Sequence, residues 1–456
     1  MNHLSSETFR ENARAALADV QLRGALKNAT SLFGERRKAA ASSLPNWEEL
    51  RSQARAIKDE VLSHLDKYLE EFVRAAESRG AKIHWARDAT EANGIICGLA
   101  AERKARVIVK SKSMTTEETH LNTALEAAGM QVVETDLGEY IIQLADEPPS
   151  HIIAPAIHKT RGQVSELFTA ELGTPATDDI AQLTLIARTT LRDRFAAADI
   201  GISGVNFAIA ETGTIVIVEN EGNIRLTTSL PRLHIAVMGI EKVIPRFADL
   251  EVFLKLLPRS ATGQGLSTYQ SFITGTKRHA TDEGPEELHI LLLDNGRSRM
   301  LAHPVTRQSL ACLRCGACLN VCPVYQQVGG HAYGSVYPGP IGAVITPQLM
   351  GIEKTSQLPY ASSLCGACRE VCPVKIDIPR LLLHLRGEIS ERKGSAGERL
   401  AFKLWARVMM SPKLYKMSGV AGRLLQRVVP ISRAWTSGRD LRPVERRSFH
   451  ELWSDE

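Results

Sequence analysis

The chain reads as an α/β protein with helical ends, and three features of its 456 residues carry that reading. Helical periodicity runs almost unbroken through about residue 75, and short apolar runs then alternate with amphipathic helices to about residue 295. Beyond that, seven of the eight cysteines crowd together ahead of a basic tail with helical spacing. A length of 456 residues calls for about three folding units at roughly 150 residues each. The boundaries expected are a helical arm over 1–77, an α/β domain over 78–299, a mainly α-helical cysteine domain over 300–386 and a basic helical segment over 387–456.

In the arm, Phe9, Ala13, Ala16, Leu17 and Val20 form one apolar stripe and Leu62, Leu65, Leu69 and Phe72 another. Pro45 separates them, with Asn46 as the expected N-cap of the second half and Glu49 three residues on. Such an arm packs on its own chain or on a partner, and no chemistry is expected of it. In the α/β domain the expected strands are Ala81–Trp85, Arg106–Val109, Gln131–Glu134, Phe207–Ala210, Thr214–Val218 and His234–Val237, with helices at Thr115–Ala128 and Val164–Leu172. The run from Ile215 to Leu226 reads as a hairpin about Gly222.

Composition narrows the function classes. Apolar residues at 44% and charged residues at 23% are those of a soluble globular protein, while aromatics at 5% are too sparse for a base-stacking platform, so no nucleic acid is expected. The N-terminus lacks a basic start followed by an apolar run, and no window approaches the ~20 apolar residues a bilayer span needs. A cytoplasmic location follows as the expectation, with at most peripheral contact at the inner face of the cell membrane. In a reducing compartment, closely spaced cysteines favour metal over disulfide.

The first cysteine motif is Cys312-x2-Cys315-x2-Cys318-x3-Cys322-Pro323, the bacterial ferredoxin spacing, in which three thiolates grip one cubane and the fourth reaches a neighbour. Two-residue spacers wrap a tight loop around three cluster corners, and Gly316 and Ala317 let backbone N–H groups approach the cluster sulfurs. The second motif, Cys365-Gly-Ala-Cys368-x3-Cys372-Pro373, repeats the first with Ser362 where its leading cysteine would stand. By the crossing rule Cys312, Cys315, Cys318 and Cys372 complete one 4Fe-4S cluster, and Cys322, Cys365 and Cys368 hold a second that is one thiolate short. Ser362 or a water can supply an oxygen ligand, the iron can stay open to a substrate or partner, or the cluster is 3Fe-4S. Zinc has no use for this spacing, since its structural sites want ligands in two pairs.

Cys97, in an apolar run, reads as a small buried hydrophobe rather than a remote ligand. The Gly-, Pro- and Tyr-rich stretch from Val328 to Gly342 reads as a rigid loop over the clusters, with His331 and Tyr333 as a ligand, as hydrogen-bond donors or as plain loop residues. No Gly-x-Gly-x-x-Gly follows a strand, so neither flavin nor nicotinamide is expected. Electrons would arrive from a partner or from a substrate bound nearby. A different class of reading is a hydroxyacid lyase or hydratase with an open-site cluster as Lewis acid, and a third is a non-redox scaffold carrying clusters.

The cysteine motifs, together with Gly329-Gly-His-Ala-Tyr-Gly, Tyr337-Pro-Gly-Pro-Ile-Gly, Val109-Lys-Ser-Lys-Ser-Met and Ala210-Glu-Thr-Gly-Thr, closely resemble the lactate utilization protein B family along nearly the whole chain. That resemblance implies a LUD domain, similar in fold to ribose-5-phosphate isomerases and CoA transferases, ahead of a 4Fe-4S dicluster domain. It implies an electron-transfer subunit in the oxidation of L-lactate to pyruvate. Two sister subunits, one cysteine-rich and one a second LUD protein, and a downstream acceptor are the implied partners. The family shares the shortened second motif, so Ser362 is no departure from it.

In the α/β domain a small-anion site is expected at strand ends, from Lys110 and Ser111, from Thr212 and Thr214 in a turn, and from Arg225, Thr227, Thr228 and Ser229 near the hairpin. Glu211 is a candidate base or a capping partner. The basic run around Phe402 to Met410 is expected to dock a sister subunit, to lie on an acidic membrane surface or to pack on the cysteine domain.

Overall fold

In a computed structural model of the chain, residues 5–279, 281–425, 445 and 447–453 are described. The chain divides into two compact units, Met1–Arg386 and Gly387–Glu456. The first begins with four helices, α1 (Phe9–Ala18), α2 (Val20–Ser42), α3 (Trp47–Ser63) and α4 (Leu65–Glu77). Asp19 starts α2 by accepting the Leu22 N–H at 2.9 Å. Asn46 precedes α3 but makes no such bond, because its backbone (φ −98°, ψ 25°) is not the extended form that aims a cap side chain at the helix end.

Ten strands follow: β1 (Ala81–Ala86), β2 (Val107–Lys110), β3 (Gln131–Glu134), β4 (Ile200–Gly204), β5 (Phe207–Ile209), β6 (Thr214–Glu219), β7 (Leu233–Gly239), β8 (Val243–Ile244), β9 (Tyr269–Ile273) and β10 (Glu287–Leu293). Six make a parallel sheet in the order β1-β10-β7-β4-β2-β3. The other four make a small mixed sheet, β8-β5-β6-β9. The order reverses beside β2, whose neighbours are β3 on one side and β4 on the other. Crevices at the carboxyl ends of strands beside such a reversal are where open α/β sheets bind ligands.

The helical arm is no appendage. Val61, Leu65, Leu69, Phe72 and Ala76 form one core cluster with Ala208 and Ile215 of the small sheet and with Ala236 and Ile290 of the large one. Each turn of α4 thus buries aliphatic surface against strands, which stabilises by about 25 cal/mol per Å² of apolar area removed from water.

Several expectations need correction. Ile215–Leu226 is not a hairpin: β6 ends at Glu219, Gly222 takes φ 80°, and the helix Asn223–Ser229 follows. The cause is Glu219, whose carboxylate accepts the N–H groups of Ile224 (2.7 Å) and Arg225 (3.0 Å) and so seeds a helix where a second strand was expected. The antiparallel hairpin is instead β5–β6. The helix expected over Thr115–Ala128 breaks at His120 (φ 53°) into Met114–Glu118 and Leu121–Ala127.

Strand β4 was not expected because two glycines dilute its pattern, yet packing demands them. A Cβ on Gly201 would lie 1.8 Å from the Thr227 carbonyl oxygen, and one on Gly204 would strike Ser113. Cys97 packs beside Ile95 and Leu99 at the margin of the core on that side, and burial raises its thiol pKa.

The cysteine-bearing segment is a string of short helices, including Ala317–Asn320, Tyr325–Val328, Gly339–Met350 and Ala367–Glu370. α2 lies against the first two of these. In the second unit the helices Ala396–Met409 and Pro412–Leu425 pack on each other and bury no residue fully. Phe402, Leu404, Trp405, Met410 and Leu424 are all more than half exposed. The expected helical pattern continues to Ile431, and Trp435 follows; residues 426–435 lie outside the described ones. Among the described residues no helix is long and apolar enough to cross a membrane.

Candidate functional site

The two cysteine motifs repeat each other in backbone as well as in sequence. Arg314 and Leu364, each just before a cysteine, take left-handed conformations (φ 61° and 58°), and Gly316 and Gly366 two residues later do the same (φ 74° and 88°). The Arg314 N–H donates to Cys312 Sγ at 3.4 Å, and the Leu364 N–H donates to Ser362 Oγ at 3.1 Å. Ser362 therefore occupies the place of the missing cysteine, with its oxygen already accepting the bond that the sulfur accepts in the first copy.

Four thiols face one small cavity. It is lined by Cys312, Cys315, Cys318 and Cys372, closed by apolar groups such as Ile341 and Ile376. The Ile376 N–H donates to Cys372 Sγ at 3.3 Å. Burial, with Cys312 alongside, pushes the Cys315 thiol up to about 12, and Cys372 is pushed up to about 11. Thiols so crowded and so dry do not ionise together unless a polycation binds among them, which suits an iron–sulfur cube held by thiolates.

Cys322, Cys365 and Cys368 form a second group, near enough that Cys322 and Cys365 both raise the Cys368 thiol, which burial and these neighbours push up to about 12. Cys322 and Cys368 are buried and Cys365 is exposed. Cys318 and Cys368 interact, so the two groups adjoin. Tyr333 is fully buried beside Cys322 and Cys318, and its hydroxyl has no hydrogen-bond partner among the described residues. His331 is turned elsewhere: its ring meets the Pro148 carbonyl at 2.8 Å and the His158 ring at 4.5 Å.

The arm contributes cations beside the first thiol group. Arg51 of α3 donates to the Cys372 carbonyl at 2.8 and 3.0 Å, and Arg37 of α2 donates to the neighbouring Val371 carbonyl at 3.1 Å. Lys58, wholly buried on α3, donates to the Glu241 carbonyl. These residues read in sequence as one polar side of amphipathic helices, and only the fold shows where that side points.

Beside the first thiol group opens a cavity of about 380 Å³ at the carboxyl ends of β2, β4, β6 and β7. Lys112 and Ser113 follow β2, Asn206 follows β4 and Lys242 precedes β8, while Leu313 and Arg314 come from the cysteine loop. Leu313 and Arg314 line this cavity and the thiol cavity alike. Below them runs a buried ionic network. Arg297 bonds Glu241 at 2.6 Å and Glu118 at 2.8 and 2.9 Å; Tyr337 donates to Glu118 at 2.7 Å; the Arg314 guanidinium lies over the Tyr337 ring at 4.7 Å.

Burial alone would raise Glu241, yet Arg297 and Arg314 hold it down at about 2. Burial pushes Lys242 down to about 8 in spite of Glu241. Arg314 is some 91% buried by side chain, and its Nη1 has no hydrogen-bond partner among the described residues.

The residues expected to gather a small anion do not converge. Lys110 is fully buried and committed to Glu134 (2.7 Å) and Glu117 (3.0 Å). Ser111 is enclosed beside the Ile202 carbonyl, and Thr227 bonds the Asn223 carbonyl at 2.9 Å and Thr135 at 3.2 Å. Thr228 and Ser229 turn back to the Arg225 carbonyl, while the Arg225 guanidinium lies over Tyr269 at 5.7 Å. Thr212 bonds Thr214, and Thr214 bonds Thr274, in the β5–β6 turn. Glu211 accepts the Phe247 N–H at 2.8 Å, in the turn before the helix Leu250–Ala261. The cavity at the strand ends is lined instead by the cations Lys112, Lys242 and Arg314, and the loop after β7 and the cysteine loop could not be paired from sequence spacing.

Comparison with known proteins agrees with this layout. Residues 69–293 match the LUD domain family, residues 308–376 a 4Fe-4S dicluster domain and residues 382–456 the C-terminal domain of lactate utilisation protein B. The chain is 44% identical to "Lactate utilization protein B" of Bacillus licheniformis, over 99% of this chain and 97% of that one. It is 46% identical to the protein of the same name in Bacillus subtilis, over 91% of this chain and 87% of that one. It is 45% identical to the "Uncharacterized electron transport protein YkgF" of Escherichia coli, over 92% and 88%. Four thiols around one cavity, the LUD match ahead of them and identities near one half place the chain in the lactate utilization protein B family.

Proposed function

We propose that the chain is the iron–sulfur electron-transfer subunit of a multi-protein system that oxidises L-lactate to pyruvate. The observation that carries the reading is a continuous path: the cavity at the strand ends shares Leu313 and Arg314 with the first thiol group, which adjoins the second, which opens to the surface at Cys365. In this reading Cys312, Cys315, Cys318 and Cys372 hold one 4Fe-4S cluster. Cys322, Cys365 and Cys368 hold the other, with Ser362 or a water as fourth ligand, an open iron or a 3Fe-4S core. Bound clusters supply one-electron steps. Oxidising a secondary alcohol to a ketone releases two electrons and two protons, so each turnover loads the path twice or loads both centres once.

The chain's own residues support such a path by excluding water around Cys315, Cys318 and Cys372 and by surrounding the first group with cations. The partners proposed are a cysteine-rich sister subunit, a second LUD protein and a downstream acceptor. The second unit, with its uncovered apolar side chains, is proposed to dock one of the sisters.

Anaerobic purification with iron and acid-labile sulfide analysis, followed by EPR during lactate addition with and without the sister proteins, tests the proposal. Lactate-dependent reduction of the clusters in the complete system is expected. Iron without labile sulfide, or clusters that stay oxidised in the complete system, sinks it. A hydroxyacid lyase draws support only from the exposed, incompletely ligated second group; it predicts a spectral shift on adding lactate without any reduction.

A further inference from the structure

The cavity at the carboxyl ends of β2, β4, β6 and β7 has a cationic end that the fold leaves unsatisfied. Arg314 and Lys242 act on each other electrostatically, so they lie together, and both line the cavity. Arg314 Nη1 is a buried guanidinium nitrogen without a partner among the described residues, in a protein where Arg297, the neighbouring guanidinium, is fully engaged. Glu241 is the carboxylate at hand, but Arg297 bonds it at 2.6 Å, and its 3.7 Å approach to Arg314 is too long for a hydrogen bond. Leaving a buried charged donor unmade costs about 1–3 kcal/mol or more, so the open nitrogen is a place where an anion would be stabilised.

Size and surroundings narrow the anion. About 380 Å³ admits a small organic acid with water, and Ser113, Asn206 and Asn223 line the same space with hydrogen-bonding groups suited to a hydroxyl or keto oxygen. A planar guanidinium beside an ammonium matches one carboxylate. Asp136, Glu219, Glu221 and Glu241 also line the cavity and make it hostile to a second negative charge.

We propose that this cavity is a binding site for a small 2-hydroxy or 2-oxo monocarboxylate, its carboxylate held by Arg314 and Lys242, so that the acid is bound by this chain itself and against the first cysteine loop. The inference rests on the relay reading for its purpose and on the cavity for its chemistry. The cations also serve as counter-charges to the first thiol group, and the test separates that role from ligand binding.

Calorimetry on the anaerobically prepared, cluster-loaded chain is carried out with pyruvate, L-lactate, propionate and inorganic phosphate, alongside EPR of the dithionite-reduced clusters. Pyruvate or lactate is expected to bind at least about tenfold more tightly than propionate or phosphate, and Lys242→Met to weaken that binding about tenfold or more with iron and sulfide unchanged. Bound acid is expected to shift the spectrum of the fully cysteinyl cluster and to leave the other alone. Lys242 lies outside the cysteine loop; Arg314→Lys, which keeps the charge and loses the fork, gives an independent second variant. Equal affinity in wild type and Lys242→Met, phosphate binding as tightly as pyruvate, or no heat with any acid overturns the proposal. Full iron content and dithionite reduction without acid binding sinks the cavity and leaves the relay; acid binding to clusters that never reduce sinks the relay and leaves the cavity.

Discussion

Around Cys312, Cys315, Cys318 and Cys372 the protein gathers Arg37, Arg51, Lys58, Lys242 and Arg314, each acting electrostatically on one or more of those thiols. Around Cys322 and Cys368 the influences are burial, backbone N–H groups and the other cysteines. Two loops of nearly equal backbone thus stand in opposite surroundings, one buried and cationic, the other reaching solvent at Cys365. Net charge near a cluster raises its reduction potential when positive, and a unit charge about 7 Å away is worth on the order of 2 kcal/mol at an effective dielectric constant near 20. The difference teaches that the motif sets the local backbone, while segments far off in sequence set the charge around it; under the relay proposed above, that charge governs how strongly each cluster holds an electron.

The most damaging way to break the comparison is to remove the corner that the second motif lends to the first group. Cys372→Ala is expected to lose about half of the bound iron and nearly all electron delivery, while the EPR signals of the second cluster persist. Iron that stays whole in this variant refutes the crossed ligand assignment. Next in size is the charge itself. Arg51→Met is expected to lower the potential of the first cluster by tens of millivolts in a redox titration and to leave the second within error; equal shifts in both sink the idea of separate surroundings.

Ser362→Cys sharpens the contrast from the other side. With a fourth thiolate in place the second cluster is expected to give a spectrum like the first and to resist loss of iron to chelators, and an unchanged spectrum means that Ser362 is not at the open corner. The smallest effect belongs to the orphan hydroxyl. Tyr333→Phe is expected to lower the potential of the cluster it donates to by on the order of 20–40 mV, the equivalent of about 0.5–1 kcal/mol for one hydrogen bond. No shift at either cluster means that the hydroxyl serves neither.

How far these features could be read from sequence depends on the range of the interactions that make them. The grouping of Cys312, Cys315 and Cys318 with Cys372, the repeat of Gly316 in Gly366 and the place of Ser362 follow from local spacing, and they are legible in the sequence. The parallel strands β1, β2, β3 and β7 announce themselves as apolar runs. β4 did not, because its glycines answer to Thr227 and Ser113, which come from other parts of the chain. The helix Asn223–Ser229 reads as a strand in sequence because the deciding bond comes from Glu219 across a turn. Of the two lysines after the β2 run, Lys110 is spent on Glu134 and Glu117 while Lys112 lines the cavity, a difference that spacing does not show. That Lys58, Lys242 and Arg314 share one buried neighbourhood depends on three-dimensional packing that no spacing encodes.

The bond between Arg51 and the Cys372 carbonyl joins residues 321 apart in the chain. During synthesis α3 leaves the ribosome long before the last cysteine exists, so the arm can settle on the sheet through Phe72 and Leu69 while its guanidinium groups still have nothing to hold. Only when Cys372 and Val371 emerge can Arg51 and Arg37 latch over the first thiol group. A chain truncated before its final cysteine motif lacks both carbonyls and is left with the latch undone.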